Sequence, residues 1–280
     1  MIQTLVKNGQ IDIVHGGMVS SDEACPNYND MIRNFEMGHN WLWEEFGVTP
    51  TIGWQLDPFG HSAANAHIFA ELGFDAFVFT RINEDEQKNR KLERDEEFVW
   101  RPEFQFSKTS ALKDSQRDIF AHLTSDGYGL PDIIPINWYK NEWAGPIKPA
   151  KPYDGMSKKL IDFAKRQAST RRTNNVLMTW GQDFANYDAL SLDNLNTVID
   201  ELRNYAEQEN LDVQFKWSTV QGYFDDVYSE AKSRKDVEFD IEGGDFWGYN
   251  LHSVPGAYWT GYYTTYPEIK NEMYQFGDFV

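Results

Sequence analysis

The stretch that most constrains this chain is residues 52–81, reading IGWQLDPFGHSAANAHIFAELGFDAFVFTR. Ile52, Trp54 and Leu56 alternate as strand positions do, and Pro58 and Gly60 break the run. Ser62 is placed to cap a helix that continues through Leu72 and ends at Gly73. Residues 76–80 then read as a second, buried strand. Strand, helix and strand at this spacing make a βαβ unit, whose crossover pairs the two strands in parallel. Asp57 therefore falls just past the carboxyl end of a sheet strand, where open α/β sheets hold their ligands. An aspartate before a proline in a tight turn is more often a turn or cap residue than a catalyst, so the residues alone leave both roles open.

At 280 residues the chain can bury one large core and needs no second domain. With 41% hydrophobic and 15% aromatic residues, wholesale disorder is excluded. A formal charge of −18 argues against nucleic acid or an anionic membrane as partner, because phosphates are bound by Lys and Arg clusters. No apolar run approaches the roughly 18 residues of a membrane span, and the opening MIQTLVKNGQ has no signal-peptide core. The single cysteine, Cys25, cannot form an internal disulfide.

Along the chain, residues 11–14, 119–123, 175–180 and 213–217 read as further strands, and residues 28–46, 157–168 and 190–206 as amphipathic helices. His39 falls on the apolar stripe of the first of these helices and reads as a packing residue. The charged run 83–97 reads as a solvated helix or loop, and 127–155, rich in Pro, Gly, Trp and Tyr, as a long ordered loop. The 175–180 strand delivers Gly181, Gln182, Asp183 and Phe184, so a second carboxylate follows a strand end. Two carboxyl groups on one rim are what glycosidic hydrolysis needs, one to attack or stabilise and one to protonate the leaving oxygen.

Trp54, Gln55, the hexapeptide Asp57-Pro58-Phe59-Gly60-His61-Ser62 and Leu72-Gly73-Phe74-Asp75 resemble the signature of the glycoside hydrolase family 38 α-mannosidases of lysosomal and Golgi II type. So do Ser20-Ser21-Asp22-Glu23-Ala24, the Gly181–Phe184 segment, Gly244-Asp245-Phe246 and Tyr258-Trp259-Thr260-Gly261-Tyr262-Tyr263. The resemblance implies an α/β fold: a parallel-stranded sheet flanked by helices, of the distorted seven-stranded β/α type, incomplete at both ends. It implies a catalytic domain over residues 1–266, lacking its first strand, and the start of a helical bundle at 267–280.

The same resemblance implies a retaining, zinc-dependent hydrolase of terminal α-linked mannose in N-glycan-type oligosaccharides, lysosomal or vacuolar in location. Asp57 takes the place of nucleophile and zinc ligand, and Asp183 that of general acid/base. Arg81, Tyr128 and Trp54 take substrate-contacting places, and His61 a supporting one. The zinc site is incomplete. Gly256 stands where the family carries a zinc histidine, and His252, four residues earlier, is the candidate to replace it. Gln182 stands where the family has an aspartate. A non-catalytic, sugar-binding remnant is the rival reading, and a metal-dependent carbohydrate deacetylase a weaker third. The residues say nothing of oligomeric state.

Overall fold

The computed structural model describes residues 1–102, 117–124, 127–129, 136–137, 142–143, 155–181 and 189–277. These fall into two compact units. The first comprises residues 1–127, 170–173 and 219–280, and the second residues 128–169 and 174–218.

The first unit is built on a five-stranded sheet. Its strands are β1 (Ile52–Gln55), β2 (Ala76–Phe79), β3 (Glu97–Trp100), β4 (Ile119–Leu123) and β7 (Ile241–Glu242), in the order β1-β2-β4-β3-β7. β1 pairs β2, β2 pairs β4 and β3 pairs β7 in parallel. The crossover expected for residues 52–81 is present, with α3 (Ala63–Glu71) between its two strands. Ser62 caps α3, its side chain accepting the Asn65 N–H at 3.0 Å. The sheet is mostly parallel, as expected, with β3 running antiparallel to β4. Hydrophobic pattern carries no strand direction.

In-register partners on neighbouring strands point to the same side of a sheet. One side carries Phe77, Phe79, Phe98, Trp100, Ala121 and Leu123, which join Phe35 of α2 (Tyr28–Phe46) and Ala66 and Phe69 of α3 in one buried cluster. Phe77 stacks on Phe79 at 5.2 Å between centroids, and Trp100 meets Phe246 edge-on at 4.8 Å. Burying rings of this size stabilises by roughly 1.5–3 kcal/mol each. The other side carries the row Trp54, Val78, His122 and Glu97 and packs against Tyr223 and Phe224 of α7 (Val220–Ser233).

α2 forms as its pattern predicts, with Met31, Phe35, Gly38 and Leu42 buried and Asn27 capping its start. His39 packs as expected, its Nε2 lying 2.9 Å from the His15 carbonyl. The charged run after β2 folds as α4 (Glu84–Glu93), capped by Asn83 and with three acidic residues in its first turn. Short α1 (Ile2–Lys7), the hairpin of β8 (Asn250–Leu251) and β9 (Ala257–Tyr258), a 3-10 turn at Gly261–Tyr263 and α8 (Pro267–Gly277) complete this unit.

Residues 11–14 do not form the expected strand. They run beside β1 through a single backbone bond, from His15 N–H to the Ile52 carbonyl at 2.7 Å, and His15 Nδ1 accepts the Trp54 N–H at 3.2 Å. An imidazole thus substitutes for a ladder carbonyl at this sheet edge.

In the second unit, α5 (Met156–Ser169) and α6 (Ala189–Gln208) bury Leu160, Ile161, Leu195, Val198 and Leu202 against each other. β5 (Ile136–Asn137) and β6 (Glu142–Trp143) form a separate two-stranded ribbon. Residues 175–180 and 213–217, expected as strands, are irregular, although Met178, Trp180, Val213 and Phe215 pack on this second core. Their apolar alternation matches a packing role without ladder bonds, which pattern alone cannot distinguish from a strand.

Candidate active site

Register brings two site residues together. Gln55 of β1 lies opposite Phe79 of β2, so Asp57 and Arg81, each two residues beyond its partner, leave adjacent parallel strands side by side. Arg81 Nη2 donates to Asp57 Oδ1. Arg81 adopts a left-handed backbone, φ 59°, uncommon outside glycine and often found where function constrains geometry. The Asp57 side chain is 66% exposed, so the pair opens to solvent at the sheet rim.

An aromatic wall backs this pair. The Arg81 guanidinium lies 5.1 Å from the Phe59 ring centre and 5.6 Å from that of Tyr249, and its Nη1 donates to Tyr249 Oη at 3.3 Å. Phe59 contacts Trp259 at 4.7 Å and Tyr262 at 5.8 Å, and Tyr263 Oη donates to the Phe59 carbonyl at 3.0 Å. Tyr262 donates its phenol proton to Asp22. Burial, then that hydrogen bond, pushes the Tyr262 phenol well above its ordinary range, so it serves as a donor and not as a base. Rings beside a carboxylate and a guanidinium suit a sugar, which offers C–H faces to aromatics and hydroxyls to polar groups.

The turn that presents Asp57 is held from behind. Gly60, at φ 106°, brings its backbone so close to Trp247 that a Cβ there would lie 2.6 Å from the indole. His61 is fully buried and pairs with Phe246 by two backbone bonds, of 3.0 and 2.8 Å. Its ring meets Glu23 through Nδ1 at 2.8 Å and the Thr80 carbonyl through Nε2. Both nitrogens are engaged, which matches the supporting place expected for this residue.

The other expected site residues are placed as follows. Trp54 is half-buried in β1, on the sheet side that carries Val78 and His122. Tyr128 is half-buried and belongs to the second unit. Asp183 and Gln182 lie outside the described residues. His252 sits in the turn between β8 and β9, its Nδ1 3.4 Å from Asp85 Oδ2 of α4, while Ser253 N–H donates to Glu84 at 2.8 Å. His252 is thus directed to an acidic helix start.

Among the described residues, the donor set for the zinc that the resemblance implies is incomplete. Asp57 is ion-paired with a guanidinium and His252 lies beside Asp85, and no group of three His, Cys, Asp or Glu side chains among the described residues could hold a metal ion. Three or four such donors are the rule for a protein-bound zinc ion.

Phe59, Trp259 and Tyr262 lie within the family's motifs, and the sequence assigns them no role. Tyr249 lies 168 residues from Arg81 in the sequence. Nothing in the residue order pairs them.

Residues 1–250 match the model of the glycosyl hydrolases family 38 N-terminal domain. The chain is 30% identical over 283 residues to the lysosomal alpha-mannosidase of Dictyostelium discoideum, covering 98% of this chain and 26% of that protein. It is 34% identical over 266 residues to the alpha-mannosidase of Canavalia ensiformis, covering 93% and 25%. It spans about a quarter of the length of these relatives. Among solved structures, an alpha-mannosidase from Enterococcus faecalis V583 shares its fold with a TM-score of 0.58 at 17% identity, covering 88% of this chain and 23% of that one.

Proposed function

Because the chain belongs to glycoside hydrolase family 38, we propose that it carries the nucleophile rim of an α-mannosidase that cleaves terminal α-linked mannose by a retaining mechanism. The observation that carries this reading is the Asp57–Arg81 pair at two adjacent strand ends, under the wall of Phe59, Tyr249 and Trp259. Asp57 attacks the anomeric carbon as the glycosidic bond breaks, and Asp183 delivers its proton to the departing oxygen. Asp183 then takes a proton from water, whose oxygen displaces Asp57 and restores both carboxyl groups. Arg81 fixes the direction of the Asp57 carboxylate, and the rings exclude water from one side of the sugar.

Zinc dependence belongs to this reading as well. A zinc ion would polarise and orient sugar hydroxyls, and Asp57 is the one donor the described site offers it; the steps above rest on side chains alone. The substrate is read as a mannose-containing oligosaccharide, and the compartment as lysosomal or vacuolar, in line with the Dictyostelium relative. No helix among the described residues is long and apolar enough to cross a membrane.

The test is hydrolysis of a chromogenic α-mannoside with added zinc, together with trapping by an activated fluoro-mannoside and peptide mass spectrometry. Asp57 is the expected site of the covalent adduct, and Asp57→Asn is expected to lower turnover by at least about 1000-fold. Undiminished turnover in that variant, or an adduct on another residue, would overturn the assignment.

A further inference from the structure

Glu23 is buried and lies in the Asp22-Glu23-Ala24 motif, to which the reading above gives no task. Its carboxylate holds two partners: Oε1 faces His61 Nδ1 at 2.8 Å, and Oε2 accepts the Ser62 N–H at 2.8 Å. On the far side of the imidazole, Nε2 meets the backbone carbonyl of Thr80. A carbonyl oxygen can only accept, so Nε2 carries a hydrogen.

The proton between Nδ1 and Glu23 is located by the surroundings of the carboxylate. Oε2 already accepts a backbone N–H at the start of α3, and the next N–H, of Ala63, is taken by Asp245 at 2.7 Å. Donors at a helix start favour the anion. Nδ1 therefore carries the second hydrogen, and His61 is an imidazolium donating on both sides. A neutral ring beside an ionised Glu23 would set a lone pair against an acceptor at one of the two contacts. Phe77 and Phe79 cover the ring, and no charged side chain other than Glu23 is hydrogen-bonded or ion-paired to it among the described residues. The fully buried pair is thereby neutral overall, the condition under which such burial is tolerable.

The position of this pair gives it a task. His61 ends the turn that presents Asp57, and Thr80 immediately precedes Arg81, so the imidazolium spans the exits of β1 and β2. Through its backbone bonds to Phe246, the same residue anchors the segment that carries Tyr249. We propose that Glu23 and His61 are positioning residues, a carboxylate–imidazolium strut that sets the separation of the two backbones bearing Asp57 and Arg81. Its effect on turnover rests on the mannosidase reading; its protonation state does not.

Two readouts test it on the full chain. In ¹⁵N-histidine-labelled protein, with His61 assigned by loss of its signals in His61→Asn, both ring nitrogens are expected to carry hydrogen at neutral pH. Glu23→Gln can donate its amide to Nδ1 and accept from Ser62, so its His61 is expected to become neutral, with hydrogen on Nε2 alone. For turnover, Glu23→Ala is expected to lower kcat about 100-fold with KM changed by less than about threefold, and Glu23→Gln to recover all but about tenfold. A neutral His61 ring in the wild-type chain overturns the strut's shared proton. An unchanged kcat in Glu23→Ala, or a folded Glu23→Gln no better than Glu23→Ala, overturns the positioning role. Should the wild-type chain hydrolyse no α-mannoside, that reading falls, and the Arg81 guanidinium ¹⁵N resonances still decide the strut. They are expected to shift in Glu23→Ala, or in Glu23→Gln if the alanine variant does not fold, and resonances identical to wild type overturn it.

Discussion

Two carboxylate–histidine pairs lie fully buried in the first unit, at nearly the same distance, and their second ring nitrogens meet different surroundings. Glu23 and His61 meet at 2.8 Å, and Glu97 and His122 at 2.9 Å. In the first pair a backbone carbonyl faces the second ring nitrogen and demands a hydrogen there. In the second, His122 Nε2 meets no hydrogen-bond partner among the described residues, and the buried Arg171 lies near enough to oppose a positive ring. Burial first, and then Arg171, lowers the affinity of His122 for a second proton. Burial also works against charge on Glu97, but hydrogen bonds from His122 and Tyr223 and the charge of Arg171 outweigh it and hold the carboxyl below its ordinary range. The second pair is thus carboxylate and neutral imidazole, balanced by a cation from outside. What faces the third atom, more than the pair itself, decides where the proton rests. The first pair links strand exits at the rim, and the second braces the middle of the sheet against α7.

The contrast is broken most severely by removing the carboxylate of the second pair. Glu97→Ala leaves His122 and Tyr223 buried without their shared acceptor and removes a charge that faces the buried Arg171, and it is expected to cost about 3–5 kcal/mol in urea-monitored unfolding of the first unit. Acid sharpens the contrast next. Burial, then the nearby His39, lowers the pKa of His15 from 6.5 to about 4, and His122 is lowered as well. A histidine with a depressed folded pKa binds fewer protons folded than unfolded. Its stabilising share is therefore complete above about pH 6.5 and is lost as pH falls toward 4. For His15 that loss amounts to about 3 kcal/mol, at roughly 1.4 kcal/mol per unit, and His15→Asn is expected to flatten the slope of stability against pH in this window. The smallest effect is expected of Tyr223→Phe, which removes one donor from Glu97 and keeps the ring in place, costing about 1–2 kcal/mol by the same measurement.

The crossover of residues 52–81 was legible because alternation, a breaker, a cap and a helix stop all agree there. Agreement of local signals is what makes a segment readable. From that segment Asp57 could be placed at a sheet rim, whereas Arg81 came only from the family resemblance, and the strand register sets the two side by side. The direction of β3 was not legible, since Glu97, Phe98, Val99 and Trp100 alternate equally well in either sense. Residues 175–180 and 213–217 misled because apolar alternation also suits an irregular segment lying on two helices. Neither buried pair could be paired from sequence, because 38 residues separate Glu23 from His61 and 25 separate Glu97 from His122. The family signature flagged Glu23 and His61 individually, and only the fold shows that they touch. Tyr249 was hidden in the same way.

A Cβ on Gly38, midway along α2, would lie 2.0 Å from the carbonyl oxygen of Gly16, so the helix and the loop beneath it meet main chain to main chain. Elsewhere a misfit can be absorbed by a rotamer change, but here no side chain exists to yield. Even the single methyl of alanine must push the whole helix outward, dragging Phe35 from the aromatic cluster and loosening the loop whose histidine closes the sheet edge. At this one point the seating of a helix, the filling of the core and the sealing of the first strand are decided together by the absence of an atom.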